Sequence, residues 1–211
     1  KFYSLNKRSS LFVMQESIKF ALMGCGRVAR KYFEHLATDP IPRAKLTAVC
    51  DSDGERAKAA GTRYGVPWYL DIDTLMEESG SDIDVVVVST PSGLHAENVL
   101  ALAPYEKHLV VEKPMALTLD SADMMIDACD RHGVRLFVVK QNRWNKPVQR
   151  LRAALEQGKF GKIVMGTVRV RWCRDQSYYD QDSWRGTWAL DGGVFSNQAS
   201  HHIDLLEWML G

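Results

Sequence analysis

The sequence predicts an α/β fold: a doubly wound parallel sheet with helices on both faces, then the opening of an α+β domain with a mostly antiparallel sheet. Three observations carry this reading. Short apolar, β-branched runs alternate with helix-period patterns from Ile18 to Lys140. The first of these runs passes into a glycine-rich turn that opens a helix. After Lys140 the style changes, and Val168, Val170 and Trp172 alternate with Arg169 and Arg171 as in a strand with one wet face. The expected boundaries are an extension over residues 1–17, a first domain over 18–140 and a second over 141–211.

Lys19 to Met23 reads as the first strand, followed by Gly24-Cys25-Gly26-Arg27-Val28-Ala29 and a helical pattern from Arg30 to Leu36. Leu46 to Cys50 is the second strand and ends in Asp51. This is G-x-G-x-x-A between a strand and a helix, with an acid closing the next strand, as in a Rossmann dinucleotide-binding unit. Gly24 allows the tight turn, Gly26 lets the backbone approach a pyrophosphate, and Ala29 keeps the helix close to the sheet. Arg27 and Val28 open the helix whose N-terminus attracts the phosphates, and count as cofactor contacts with the glycines. Asp51 can accept hydrogen bonds from the adenosine ribose hydroxyls. It would meet a 2′-phosphate with like charge, and Ser52 and Asp53 supply no compensating cation, so the expected cofactor is NAD rather than NADP.

Asp53 can cap a helix through Arg63 that Gly65 stops, and Asp71 can cap a short helix ending near Glu78. Val85 to Val88 is a buried strand. The loop after it, Ser89 to His95, lies at a strand's carboxyl end beside the expected cofactor, with Thr90, Pro91 and His95 as candidate contacts. His95 also opens the next helix, where a packing role is the alternative. His108 to Val111 is the next strand and leads to Glu112-Lys113-Pro114. Lys113 therefore stands at the mouth of any cleft, where it could stabilise negative charge on a substrate or be a solvated loop lysine, and Pro114 ends the strand. Thr118 or Asp120 starts another helix with Leu119, Ala122, Ile126 and Cys129 on one face. Gly133 ends it, and Arg135 to Val139 is a further strand.

The second domain opens on the polar Gln141-Asn142-Arg143-Trp144, then a helix from Pro147 to about Glu156 with Val148, Leu151 and Leu155 on its apolar face. Ile163 to Trp172 is the expected half-buried strand. Arg174 to Trp188 is a loop rich in Arg, Asp, Tyr and Trp, and loops of that length are usually functional or disordered. Gly193 to Leu210 reads largely as a helix that carries Asn197, His201, Asp204, Leu205 and Trp208 along one face. One strand with two helices cannot close a sheet-based core. The domain therefore reads as incomplete, with the apolar face of Val168, Val170 and Trp172 awaiting a partner chain or further sequence.

The formal net charge of +1 gives no electrostatic case for nucleic acid or an anionic membrane. No apolar run approaches the roughly 18 residues of a membrane helix. The basic first residues carry too short an apolar run for a secretory signal. Cys25, Cys50, Cys129 and Cys173 are far apart with no CxxC pair, so four free thiols in a reducing cytoplasm are expected, and no metal.

With these residues in hand, the chain resembles the Gfo/Idh/MocA oxidoreductases. The marks are GCGRVA at Gly24–Ala29, Asp51, Thr90-Pro91-Ser92-Gly93-Leu94-His95, Glu112-Lys113-Pro114, and Gly192-Gly193 followed by Asn197, His201 and Asp204. The resemblance implies a NAD(P)-dependent dehydrogenase, a substrate domain with an open sheet, and assembly through that sheet as a dimer or tetramer. It makes Lys113 and His201 the catalytic pair, with the lysine touching the reacting hydroxyl and the histidine accepting its proton, and adds Glu112 and Lys113 to the cofactor contacts. Asn197 stands where many relatives carry aspartate, which leaves it able to bond a substrate hydroxyl; His202 reads as structural.

The stretch Arg169 to Gly211 is similar to one branch of the family, the bacterial UDP-N-acetylglucosaminuronate 3-dehydrogenases. That implies a UDP-linked N-acetylhexosaminuronate in surface-polysaccharide synthesis as substrate, with 2-oxoglutarate as a co-substrate that reoxidises NADH. An anionic nucleotide sugar suits the arginines at 143, 169, 171, 174 and 185 and the flat faces of Tyr178, Tyr179, Trp184 and Trp188. Arg143, Arg174, Tyr178 and Asn197 join Lys113 and His201 as its expected contacts. The alternatives are a dehydrogenase of a free sugar or polyol of the inositol type, and a NAD-binding regulator without turnover.

Overall fold

The computed structural model describes residues 17–211, so all but the last residue of the expected extension lies outside the described residues. Six strands form one sheet: β1 (Ile18–Met23), β2 (Ala44–Cys50), β3 (Trp68–Tyr69), β4 (Val85–Val88), β5 (His108–Val111) and β6 (Leu136–Val138). The spatial order is β3-β2-β1-β4-β5-β6, and every neighbouring pair is parallel. The order reverses between β1 and β4, and in such sheets the ligand crevice lies beyond the carboxyl ends of those two strands. Gly24 leaves β1 and Ser89 leaves β4 at that point, and the Ser89 hydroxyl donates to the Gly24 carbonyl at 2.8 Å.

The all-apolar run of β4 has a packing reason. Val86 and Val88 belong to one core cluster with Leu75, Leu102, Leu109 and Met125, and Val87 belongs to the other with Leu22, Phe33, Leu46 and Val49. Both faces are covered, so neither can be polar; each fully buried valine or leucine contributes roughly 1.5–3 kcal/mol.

The helices are α1 (Ala29–Phe33), α2 (Gly54–Tyr64), α3 (Ile72–Ser79), α4 (His95–Leu102), α5 (Leu119–Arg131), α6 (Lys146–Glu156), α7 (Gln176–Tyr179) and α8 (Ser200–Leu210). Asp53 caps α2 by accepting from the Glu55 and Arg56 amides, and Gly65 ends it at φ +67°. Asp71 caps α3 and Thr118 caps α5. Each such cap is worth about 1 kcal/mol. After α1 the chain widens into a π-turn over Glu34–Thr38.

Three expectations are corrected. On α5 the buried stripe is Met125, Ala128 and Cys129, while Leu119 and Ile126 are exposed. Leu119 stands in the first turn, and Ile126 lies with Phe137 along a shallow apolar groove at the β6 edge, where no described strand covers them. The expected strand from Ile163 to Trp172 does not form: residues 163–175 carry no regular structure, and the described residues contain no antiparallel sheet. A strand needs a neighbour for its amides. This stretch instead runs beside α8, where Gly166 meets Leu206 and Leu210, and Trp172 lies edge-on to His202. Val168, Val170 and Trp172 stay exposed. The third concerns α6, whose expected apolar face buries no residue and whose Leu151 is exposed. Helix α6 meets α8 through Arg152, which donates to the Trp208 carbonyl and lies over its ring.

No helix among the described residues is long and apolar enough to cross a membrane. All four cysteines are free thiols. Burial pushes Cys25 and Cys50 up to about 12, so neither is a ready nucleophile.

Candidate active site

A cavity of about 920 Å³ opens at the carboxyl ends of β1 and β4 and continues to α8 and the loop around α7. At one end is the glycine turn. Gly24 sits at φ +91°, and a Cβ there would lie 2.7 Å from the Ser89 carbonyl carbon. The residue must be glycine for both reasons. A Cβ on Gly26 would meet nothing within 4 Å, so the space above it is open to a ligand. Asp51 is held by two backbone amides, Cys25 N–H on Oδ2 at 2.7 Å and Asp53 N–H on Oδ1 at 2.9 Å. A carboxylate so anchored keeps lone pairs for a diol. Gly26, Arg27, Val28, Asp51, Thr90, Pro91, Glu112 and Lys113 line this one cavity, and an extended dinucleotide fits that donor set.

A cation that sequence reading missed stands at the Asp51 end. Arg56 lines the cavity, with Nε 3.2 Å from Asp53 and Nη2 3.6 Å from Asp182. Three carboxylates against this guanidinium keep that end unfavourable for a 2′-phosphate. We expect NAD to bind at least roughly tenfold more tightly than NADP, about 1.4 kcal/mol. Fluorescence or calorimetric titration with both checks this, and equal or tighter NADP binding contradicts it.

The Glu112-Lys113-Pro114 loop is tied down on every side. Glu112 accepts from the Tyr32 hydroxyl at 2.7 Å and from the Lys113 amide at 3.1 Å. Both carboxylate oxygens therefore serve to hold the loop. His95 is buried, with Nδ1 2.7 Å from the Pro114 carbonyl and Nε2 3.0 Å from the Thr90 carbonyl. With a backbone carbonyl facing each nitrogen it packs between the two loops, and it also lines the cavity. Burial lowers its pKa, while the two carbonyls and Glu112 act the other way. Lys113 extends into the cavity and donates to Asn197 O at 2.8 Å and Oδ1 at 2.9 Å. Burial lowers its pKa against the pull of Glu112, Tyr178 and Asp191.

Helix α8 brings His201 to the same wall. Burial first, then Lys113, His202 and Lys140, push its pKa down to about 4, with Asp204 opposing. The imidazole is therefore neutral, with a lone pair, across ordinary pH. Gln141 Nε2 stands 3.5 Å from its Nε2. His202 points elsewhere, edge-on to Trp172.

Arg143 is not on the cavity wall. Its guanidinium grips Asp204 at 2.8 and 2.7 Å and lies over the Trp208 ring. A bidentate pair of this kind fixes α8 rather than a ligand.

Around α7, Tyr178 gathers three guanidiniums, those of Arg27, Arg174 and Arg185, over its ring. Its hydroxyl accepts from Arg185 at 3.1 Å and Gln198 at 2.8 Å. Burial raises its pKa, but Arg185, Gln198 and Arg27 together bring it below the ordinary value. Arg174, Tyr178 and Arg185 all line the cavity, whereas Arg169 and Arg171 are exposed and do not.

A match to the oxidoreductase family with NAD-binding Rossmann fold covers residues 18–140, and a match to the GFO/IDH/MocA C-terminal domain covers 148–211. The chain belongs to the GFO/IDH/MocA oxidoreductase family. Two solved relatives are the WlbA dehydrogenases of Chromobacterium violaceum and Bordetella pertussis, each in complex with NADH and UDP-GlcNAcA. The first is 42% identical with a TM-score of 0.89, covering 94% of this chain and 57% of its own. The second is 43% identical with a TM-score of 0.87, covering 93% and 59%. A D-apiose dehydrogenase of Paraburkholderia graminis is 35% identical over 72% of this chain and 40% of its own length. The chain thus spans about three-fifths of the two solved relatives and two-fifths of the third.

Proposed function

We propose that this chain carries the cofactor site and catalytic groups of a NAD-dependent dehydrogenase that oxidises the C3 hydroxyl of a UDP-linked N-acetylhexosaminuronate, in the synthesis of surface polysaccharide. The observation that carries the reading is one continuous cavity. It joins the glycine turn and Asp51 to Lys113 and His201, and these to Arg174, Arg185 and Tyr178. The likeness to the two WlbA dehydrogenases supports that substrate class. When bound, the dinucleotide supplies the two-electron acceptor for hydride transfer. Neutral His201 takes the hydroxyl proton. Lys113 stabilises the alkoxide as it develops, in a site where burial strengthens the interaction. The guanidinium of Arg174 suits a diphosphate or carboxylate, while Arg185 is paired with Asp182 at 3.0 Å and holds Tyr178, which offers a ring face.

To test this, the complete protein is offered UDP-N-acetylglucosaminuronate, UDP-N-acetylglucosamine and myo-inositol, with NAD and with 2-oxoglutarate as acceptor. Mass spectrometry is expected to show a two-hydrogen loss for the uronate alone. Oxidation of inositol, or equal oxidation of the nucleotide sugar without the carboxylate, would favour a free-sugar or polyol dehydrogenase, the class of the apiose relative. Binding of NAD with no oxidation of any sugar would favour the regulator.

The pH profile follows from His201. A base whose pKa is pushed down to about 4 is deprotonated above that point. Activity is therefore expected to hold through mildly acidic pH and to fall only as pH drops towards about 4. An acid limb of kcat/KM near the ordinary histidine value of about 6.5 would contradict it.

A further inference from the structure

Lys113 reaches the cavity at the end of a chain of three side chains. Its Nζ donates to the Asn197 carbonyl at 2.8 Å and to Asn197 Oδ1 at 2.9 Å, and only the second of these depends on how the amide is turned. The Asn197 amide nitrogen donates to Asp191 Oδ1, and Asp191 Oδ2 accepts from the Gly186 amide at 2.7 Å. Asn197 and Asp191 are 7% and 4% exposed, so neither exchanges these partners freely for water. An amide has a donor end and an acceptor end. A carboxylate only accepts, so Asp191 takes the NH₂ end and turns the oxygen towards Lys113. If that constraint is removed, the amide can present its donors to an ammonium that is itself only a donor.

We propose that Asp191 is a positioning residue for the reaction: it sets the polarity of the Asn197 amide and thereby holds the Lys113 ammonium in the cavity. The proposal rests on the oxidoreductase reading above. The charged and titratable groups around Lys113 are Glu112, Tyr178 and Asp191, which favour its ammonium form, and Arg185, His95 and His201. Among these, Asp191 is the carboxylate that reaches Lys113 through a hydrogen-bonded amide.

The test is an exchange of the two residues. In Asp191→Asn the amide at 197 is freed to turn. In the double variant, Asp191→Asn with Asn197→Asp, the donor and acceptor order is restored: Gly186 N–H to an amide oxygen, an amide NH₂ to a carboxylate, and the Lys113 ammonium to that same carboxylate. In the complete protein, Asp191→Asn is expected to lose roughly 10- to 100-fold in kcat, the cost of misplacing a catalytic group, with NAD affinity unchanged. The alkaline limb on which Lys113 loses its proton is expected at lower pH. The double variant is expected to return that limb. A limb that stays at lower pH in the double variant, or a single variant with normal kcat and an unmoved limb, overturns the proposal. A second measurement does not need turnover. Competitive acylation of Lys113 as a function of pH, read by peptide mass spectrometry, reports its protonation directly. Lys113 is expected to acylate at lower pH in Asp191→Asn and to return in the double variant. An unmoved acylation profile overturns the proposal even if every sugar fails as substrate, an outcome that would count against the proposed function alone.

Discussion

Replacing Lys113 by methionine or His201 by asparagine is expected to cut kcat by roughly 100-fold or more, the scale of positioned acid–base catalysis. In His201→Asn NAD affinity should barely change, because Asp51, Gly24 and Gly26 do not depend on that residue. His201 makes only a long contact with Gln141, so its loss should leave the melting temperature nearly unaltered. Lys113→Met leaves the Asn197 oxygen atoms without their donor and should cost a little more stability. His202→Asn is the control. Its ring lies against Trp172 and off the cavity wall, so kcat should survive. Steady-state kinetics with a parallel NAD titration decides the matter. Near-normal kcat in His201→Asn together with loss in His202→Asn would transfer the proton-accepting role to the neighbour.

Gly93→Ala is the second large effect, and it acts without touching a catalytic side chain. Gly93 lies in the loop after β4, and its amide donates to the Leu190 carbonyl at 2.9 Å. A Cβ at this position would come within 2.1 Å of the Ala189 oxygen and 2.8 Å of the Leu190 Cα. Both are backbone, so no side-chain rotation relieves the contact. One of the two loops must move, at a cost of about 1–3 kcal/mol. In a chain of this size each kcal/mol lowers Tm by about 2–4 °C. Residues 189 and 190 run directly into Asp191, so the displacement reaches Asn197 and Lys113, and kcat should fall with Tm. Thermal unfolding and turnover of the variant check both effects. An unchanged Tm would mean that the two loops separate without cost.

Much of the architecture was legible because short-range rules govern it. Asp53 and Gly65 bracket a helix through contacts within one turn of chain. Val85 to Val88 announces a strand covered on both faces because no polar residue interrupts it. The glycine turn and Asp51 were readable as a unit for the same reason, and the cavity forms where they meet. Lys113 and His201 were singled out by position and resemblance, and both line the same cavity. Asp191 was missed, although it stands directly before Gly192-Gly193, a pair already noted. Arg56 was missed because it sits on the face of α2 that only folding turns towards Asp51.

By itself, then, the sequence determined what depends on neighbours along the chain: the caps, the parallel strands and the dinucleotide turn. Tertiary structure alone decided which distant partners those groups have. Arg143 resembles any other loop arginine until α8 places Asp204 against it, and the pairing removes it from the ligand wall. The alternation from Val168 to Trp172 has the period of a strand, yet a strand exists only where another backbone accepts its amides, and here the stretch lies along a helix. His201 has an ordinary pKa as a residue type, and only its burial beside Lys113 makes it a neutral base down to about pH 4. Hydrogen-bond partners, burial and local field are properties of three-dimensional surroundings, and residues far apart in sequence supply them.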